Sequence, residues 1–445
     1  MRTTNARPAT KPTSTERPVR WLLALGACLL FVLGGCAADV GGEEDEGEEL
    51  GGETRDLVDR SPAGKADGQC GPFPSYYFRY LDDTGCTKAL PTNRDRDLAC
   101  PTRSASATVT TMDGREVTYR AAGEPVEVDS SALEGLVPDD LRVTLILVRR
   151  VNGVPHYRYL SNGRHGDVVQ PWSSTKFMAV ANGAARLRTA SGYQVGLTGS
   201  VDGWPLGDLA TMIHAYDEKH YTSNGLSRYF HDVGGRRRAQ DLITNWLGRP
   251  TRETFGGNYG APSASLGFRF KDGSATVDLS RDTASPPENQ LSTYTLAESL
   301  KRLVMHREDE STRLPGLQWA DVRTLLYGAQ NSRIYGARDP QGMESDTAIY
   351  LQQAFDVRAM EERSAGKWRV FSKLGHGPSR GGEFVHVGYA CLPKLDSRGE
   401  PIPEAGKEMF LATHLNAGGK LVEGDAKLAT IYRTIVGRVL DGRLK

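Results

Sequence analysis

The strand-like runs of this chain stand at the two ends of a long helical stretch, and that placement limits the folds open to it. Leu141 to Arg149 (LRVTLILVR) and Pro155 to Leu160 (PHYRYL) are rich in β-branched and aromatic residues, with the hairpin signal Asn152-Gly153 between them. Three more such runs, Trp368–Gly377, Glu383–Leu392 and Met409–Leu415, come only near the C-terminus. Between them the apolar spacing is helical. Phe177, Met178, Val180, Ala181, Ala184, Ala185 and Leu187 form an almost all-round apolar helix of the kind that sits in a core. Ser292-Thr293 caps a helix through Leu296, Leu300 and Leu303, and another runs through Trp319, Val322 and Leu325. Leu428, Ile431, Ile435 and Val436 mark a terminal amphipathic helix. Strands with an apolar face must pair and be covered, so the pattern predicts an α/β (α+β) fold: an antiparallel sheet built from both chain ends around a mostly helical insert.

Ahead of the fold stands an export signal. A basic leader precedes the apolar run Trp21 to Leu33, which is too short for a permanent membrane span. The run ends in Leu33-Gly34-Gly35-Cys36, which resembles the lipobox of bacterial lipoproteins; residues 1–36 read as the signal peptide and Cys36 as the lipidated residue. The lipid would be the protein's hold on the membrane, and Ala37 rather than an aspartate after it resembles the pattern sent to the outer membrane, facing the periplasm or the cell surface. Residues 37–69 are Gly- and Glu-rich with almost no large apolar side chain, which predicts a disordered tether. The folded part then divides into a cysteine-containing segment with short strands, 70–137, and a main domain, 138–445. A formal net charge of zero excludes a nucleic-acid footprint, and Arg236-Arg237-Arg238 reads as a solvated face.

With Cys28 in the signal and Cys36 lipidated, Cys70, Cys86, Cys100 and Cys391 remain for an oxidising compartment. Four cysteines permit three pairings; if all pair, one of the first three must reach Cys391. Their long spacings, with no Cys-x-x-Cys or His-x-x-x-His, predict neither a metal site nor a cofactor.

Three short constellations carry the chemistry. Ser173 and Lys176 lie three apart at the start of the apolar helix, so one turn puts amine and hydroxyl on the same face: a nucleophile and its base. A second Ser-x-x-Lys, Ser364 to Lys367, falls in a Gly-containing turn where the two would not share a face. In the middle of the chain Tyr221-Thr222-Ser223-Asn224 offers a hydroxyl and an amide two apart. Near the C-terminus Lys373-Leu374-Gly375-His376 lies on a strand.

In that order, Ser-x-x-Lys, hydroxyl-x-Asn and Lys-x-Gly resemble the serine β-lactamase and penicillin-binding protein superfamily, closest to class A β-lactamases, over about Leu141 to Lys445. The resemblance implies a β-lactamase-like fold, with Ser173 the acylated nucleophile and Lys176 its general base. Thr222 would relay the proton to the leaving group, unless the register shifts by one to Ser223, and Asn224 would bind the substrate amide. Lys373 would pair with a substrate carboxylate, Gly375 would let the strand approach, and the amides of Ser173 and His376 would form an oxyanion hole. Two departures stand out. Leu374 replaces the usual hydroxyl residue, and no Glu-x-x-x-Asn precedes the Ser292 cap to activate the deacylating water; the acids in that region are Glu288, which reads as a surface acid near a cap or a displaced base, and Glu253. The implied activity is opening of a β-lactam or related amide. A D-Ala-D-Ala peptidase acting on peptidoglycan stems and a non-catalytic binding protein of the same fold are the alternatives. Residues 251–290 read as a long loop near the cleft, and the sequence sets no oligomeric state.

Overall fold

The computed structural model describes residues 89–445 apart from 216–219, 250–251, 283–286, 331, 335–341, 347, 378–381 and 419–420. The expectations for the signal, Cys36, the tether, Cys70 and Cys86 lie outside these residues. Asn152 and Gly153 both adopt left-handed backbone, at φ 52° and 82°, which turns Arg142–Val151 (β1) sharply into Val154–Ser161 (β2). The next long strands are the three C-terminal ones: β3 (Arg369–Gly377), β4 (Glu383–Leu392) and β5 (Lys407–Asn416). They join the hairpin in the antiparallel order β3-β4-β5-β1-β2, with Met409 opposite Leu147 and Leu411 opposite Leu145. The sheet is therefore assembled from both chain ends.

Alternation along the strands sorts side chains to two faces. Ile146, Tyr159, Val385, Val387 and Phe410 enter one core with the helical insert. Leu145, Leu147, Leu160, Val370 and Leu411 enter a second with Leu428, Tyr432 and Ile435 of the terminal helix Leu421–Leu440. Each fully buried large apolar side chain contributes about 2 kcal/mol. Residues 103–135 split their strand pattern. Thr108–Thr110 and Glu116–Thr118 pair as a small hairpin, whereas Arg120–Ala121 and Val128–Asp129 extend the main sheet beside β2. Cys100 is bonded to Cys391 in β4, which selects Cys100 among the three N-terminal candidates. Among the described residues no helix is long and apolar enough to cross a membrane.

Two helices of the insert place the chemistry. Lys176–Ala190 (α1) is buried along nearly all its length, as its sequence demands. Ser223–Gly234 (α2) lies parallel against it, and three contacts recur at one constant offset: Lys176 with Ser223, Gly183 with Phe230, and Arg186 with Val233. A Cβ at Gly183 would stand 3.0 Å from the Phe230 carbonyl, and one at Gly234 would collide with Asn182. Glycine at both positions lets the helices close on each other, and the start of α2 is thereby held opposite the start of α1.

Candidate active site

The chain enters α1 through a single 3-10 turn, Trp172–Thr175. Trp172 has φ 50°, left-handed backbone without glycine to ease it, at a cost of about 1–2 kcal/mol. Two contacts hold it there. Its indole Nε1 donates to Glu383 Oε2 at 2.8 Å, and its ring lies where a Cβ on Gly377 would be. The next residue, Ser173, is half-buried and opens on a cleft of about 870 Å³ walled also by Asn224, His376, Glu288, Glu383 and Arg142.

Lys176 is 1 % exposed, and its Nζ donates to Ser223 Oγ at 2.7 Å; Ser223 donates in turn to the Ile213 carbonyl at 3.1 Å. Thr222, one residue earlier, is exposed and acts as the N-cap of α2, accepting from the Gly225 amide at 3.0 Å. The parallel packing of α1 on α2 thus brings Ser223, and not Thr222, to the lysine. Asn224 faces the cleft beside Ser173.

The third constellation lies in β3. A Cβ on Gly375 would come 2.5 Å from the Pro171 carbonyl, 2.7 Å from the Ser174 nitrogen and 2.9 Å from the Ser173 nitrogen, so glycine is what allows the strand against the Ser173 turn. His376 lines the cleft, its ring tilted against Phe384, and burial lowers its pKa. Lys373 does not reach the cleft wall. It is completely buried, donating to Asp346 Oδ2 at 3.0 Å and to the Leu374 carbonyl at 3.1 Å. Burial first, and the Lys176 cation second, press its pKa well below the ordinary lysine value. His214, from the helix Leu206–Ala215, completes this interior group; burial and then the two lysines keep it neutral.

The two acids before the Ser292 cap have separate fates. Glu253 is fully buried and serves the start of the helix Thr293–Val304, accepting from Ser292 Oγ, Thr295 Oγ1 and Arg249. Glu288 is exposed in the cleft wall, with Gln170 Nε2 at 3.1 Å and Asn258 Nδ2 at 2.7 Å on its two oxygens. The lining also holds Arg142, His414 and Glu383. Arg142 Nη1 is 3.3 Å from His414 Nδ1, and His414 Nε2 is 3.7 Å from Glu383 Oε1. Burial first, then Arg142, lowers the His414 pKa to about 4, so the ring is neutral at pH 7. Among the described residues no group of three or more histidine, cysteine or acidic side chains is placed to hold a metal ion.

Asp346, His214, Glu383, Arg142 and His414 are the residues that the motif reading passed over, whereas Ser223 stood in it as the alternative to Thr222. None of those five carries a motif of its own in the sequence. No sequence-family model matches the chain, and neither does any curated protein. Solved structures do resemble it. A β-lactamase from Burkholderia vietnamiensis aligns over 71% of this chain and 98% of its own at 12% identity and a TM-score of 0.42. A structure described as PBP-A aligns over 72% and 99% at 11% and 0.41. The C-terminal domain of the Bacillus licheniformis BlaR penicillin-receptor aligns over 73% and 99% at 11% and 0.35.

Proposed function

We propose that the protein is a serine acyl-transfer hydrolase that opens an amide, β-lactam or ester bond through an acyl-enzyme on Ser173. The observation that carries this reading is the buried contact of Lys176 Nζ with Ser223 Oγ, one turn from a serine that faces a cleft. Lys176 is buried with its amine on the Ser223 hydroxyl, away from solvent, which places it to act as a base. In the proposed cycle Lys176 takes the Ser173 Oγ proton as Oγ adds to the acyl carbon. The amides of Ser173 and His376 hold the oxyanion. The bond to the leaving group breaks, and its proton arrives from Lys176 through Ser223, in the role first assigned to Thr222. Water, deprotonated by Glu288, then cleaves the acyl–Ser173 ester, releasing the acid and restoring the serine. Glu288 supports turnover over a merely acylated receptor, because it puts a carboxylate in the lining of the cleft on which Ser173 opens.

Intact-mass measurement after incubation with a fluorescent penicillin and with a p-nitrophenyl ester, beside Ser173→Ala, tests the reading. A Ser173-dependent adduct or turnover with either donor is expected; neither, with the protein folded, defeats it. We propose further that Cys36 carries the lipid and holds the enzyme at the outer membrane. Cys36→Ser is expected to release it into the soluble fraction, and unchanged membrane recovery would contradict the anchor.

A further inference from the structure

We infer that the cleft is built for an acyl substrate without an anionic group, an uncharged ester or amide; this rests on the hydrolase reading above and narrows its substrate. A cleft that recognises a carboxylate presents it with an uncommitted cation. Here the lysine expected in that role is turned inward. Lys373 is completely buried, with Asp346 and the Leu374 carbonyl as acceptors, and takes no part in the cleft wall. Leu374, buried as well, brings no hydroxyl.

Among the described residues the charged side chains lining the cleft are Arg142, Glu288 and Glu383. Arg142 already faces Asp167 at 3.5 Å, the Asp140 carbonyl at 3.4 Å and His414. Glu383 projects beside it, between the Trp172 indole and His414, next to the nucleophile turn. The chain thus supplies its own carboxylate to that wall, and Glu288 adds a second to the cleft lining. His376 and His414 are kept neutral by burial and offset neither. Among the described residues an incoming anion meets two carboxylates against one guanidinium, which itself faces Asp167 and His414, an arrangement that selects against it. For recognition the cleft offers the amide of Asn224, which matches uncharged carbonyl and N–H groups.

The test uses the full chain and two donors that differ in one group: p-nitrophenyl hexanoate and the mono-p-nitrophenyl ester of adipic acid, whose chain ends in a carboxylate. Nitrophenolate release that depends on Ser173 is measured for each, with Ser173→Ala subtracted. The neutral ester is expected to react at least tenfold faster. Glu383→Gln, which keeps an acceptor for the Trp172 indole, and Glu288→Gln, at an exposed position, should each raise the adipate-to-hexanoate ratio several-fold. Equal or faster reaction of the adipate ester, or a ratio that neither variant moves, overturns the assignment and leaves the hydrolase standing. No Ser173-dependent release with either ester overturns the hydrolase and this assignment with it.

Discussion

Gly375→Ala isolates the approach of β3 to the nucleophile turn. The added methyl would stand 2.5 Å from the Pro171 carbonyl oxygen and 2.9 Å from the Ser173 nitrogen. Ordinary contact for such pairs begins at about 3.5 Å, so strand and turn must part by roughly half to one ångström. All the atoms met are backbone, and no side chain can swing aside. Overpacking of this kind costs about 1–3 kcal/mol, and an ångström of misplacement at the reacting centre costs about a hundredfold in rate. Two measurements follow on one protein: urea unfolding, and the first-order rate of Ser173 acylation by intact mass. Gly437→Ala is the control, since nothing lies within 4 Å of the place its methyl would take and it sits inside the terminal helix. It should stabilise by up to about 1 kcal/mol and leave acylation alone. A Gly375→Ala protein that unfolds and acylates like its parent would refute the claim that this glycine sets the geometry.

Ser223→Ala should slow acylation by about 10²–10⁴-fold, the usual weight of a positioned proton relay. Thr222→Val should leave the rate nearly unchanged and cost about 1 kcal/mol as a lost N-cap; the reverse ranking in stopped-flow would return the relay to Thr222. Asp346→Asn, which strips a buried lysine of its carboxylate, should destabilise by about 3–5 kcal/mol in urea unfolding, and a loss under about 1 kcal/mol would contradict the pair. Acid should weaken the fold in a defined window. Burial, then Arg236 and Arg228, lowers the His231 pKa to about 3, and burial, then Arg142, lowers that of His414 to about 4. The unfolded chain binds these protons near pH 6.5, so the stability they support is complete above that pH and falls toward pH 4. At pH 5 the two together remove about 4 kcal/mol; equal stability at pH 8 and pH 5 would show that one or both rings are solvated.

The layers of the fold were legible because their signals are local. A hairpin needs its Asn-Gly, and a buried helix such as α1 needs apolar residues on every side. What was illegible depends on meetings between distant segments. Thr222 and Ser223 are equally good hydroxyls in the sequence, and only the parallel packing of α2 on α1 decides which one meets Lys176. The burial of Lys373 follows from Asp346, which lies in a polar connection with no periodicity to betray it. Glu253 and Glu288 are alike as letters, yet one sits under a helix cap and the other lines the cleft on which Ser173 opens. The stretch 251–290 read as a loop, but Phe270 and Val277 alternate inward on a short hairpin, Arg269–Asp272 with Ala275–Asp278. Arg236 read as part of a solvated face and is instead held by Asp232 and Asp282.

The β1–β5 seam has a consequence for the order of events during synthesis. β1 and β2 leave the ribosome early, but the strand that flanks β1 is encoded only in the last stretch of the chain. Until then the hairpin has one open edge, and β3, which carries Gly375 and joins β1 only through β4 and β5, has no sheet to lie in beside the Ser173 turn. The nascent chain thus carries Ser173 but no finished cleft, and on the hydrolase reading proposed above reactivity would arrive together with completion. A fragment cut short before Lys407 would be expected to remain inert and susceptible to proteases, a form of quality control written into the wiring of the sheet.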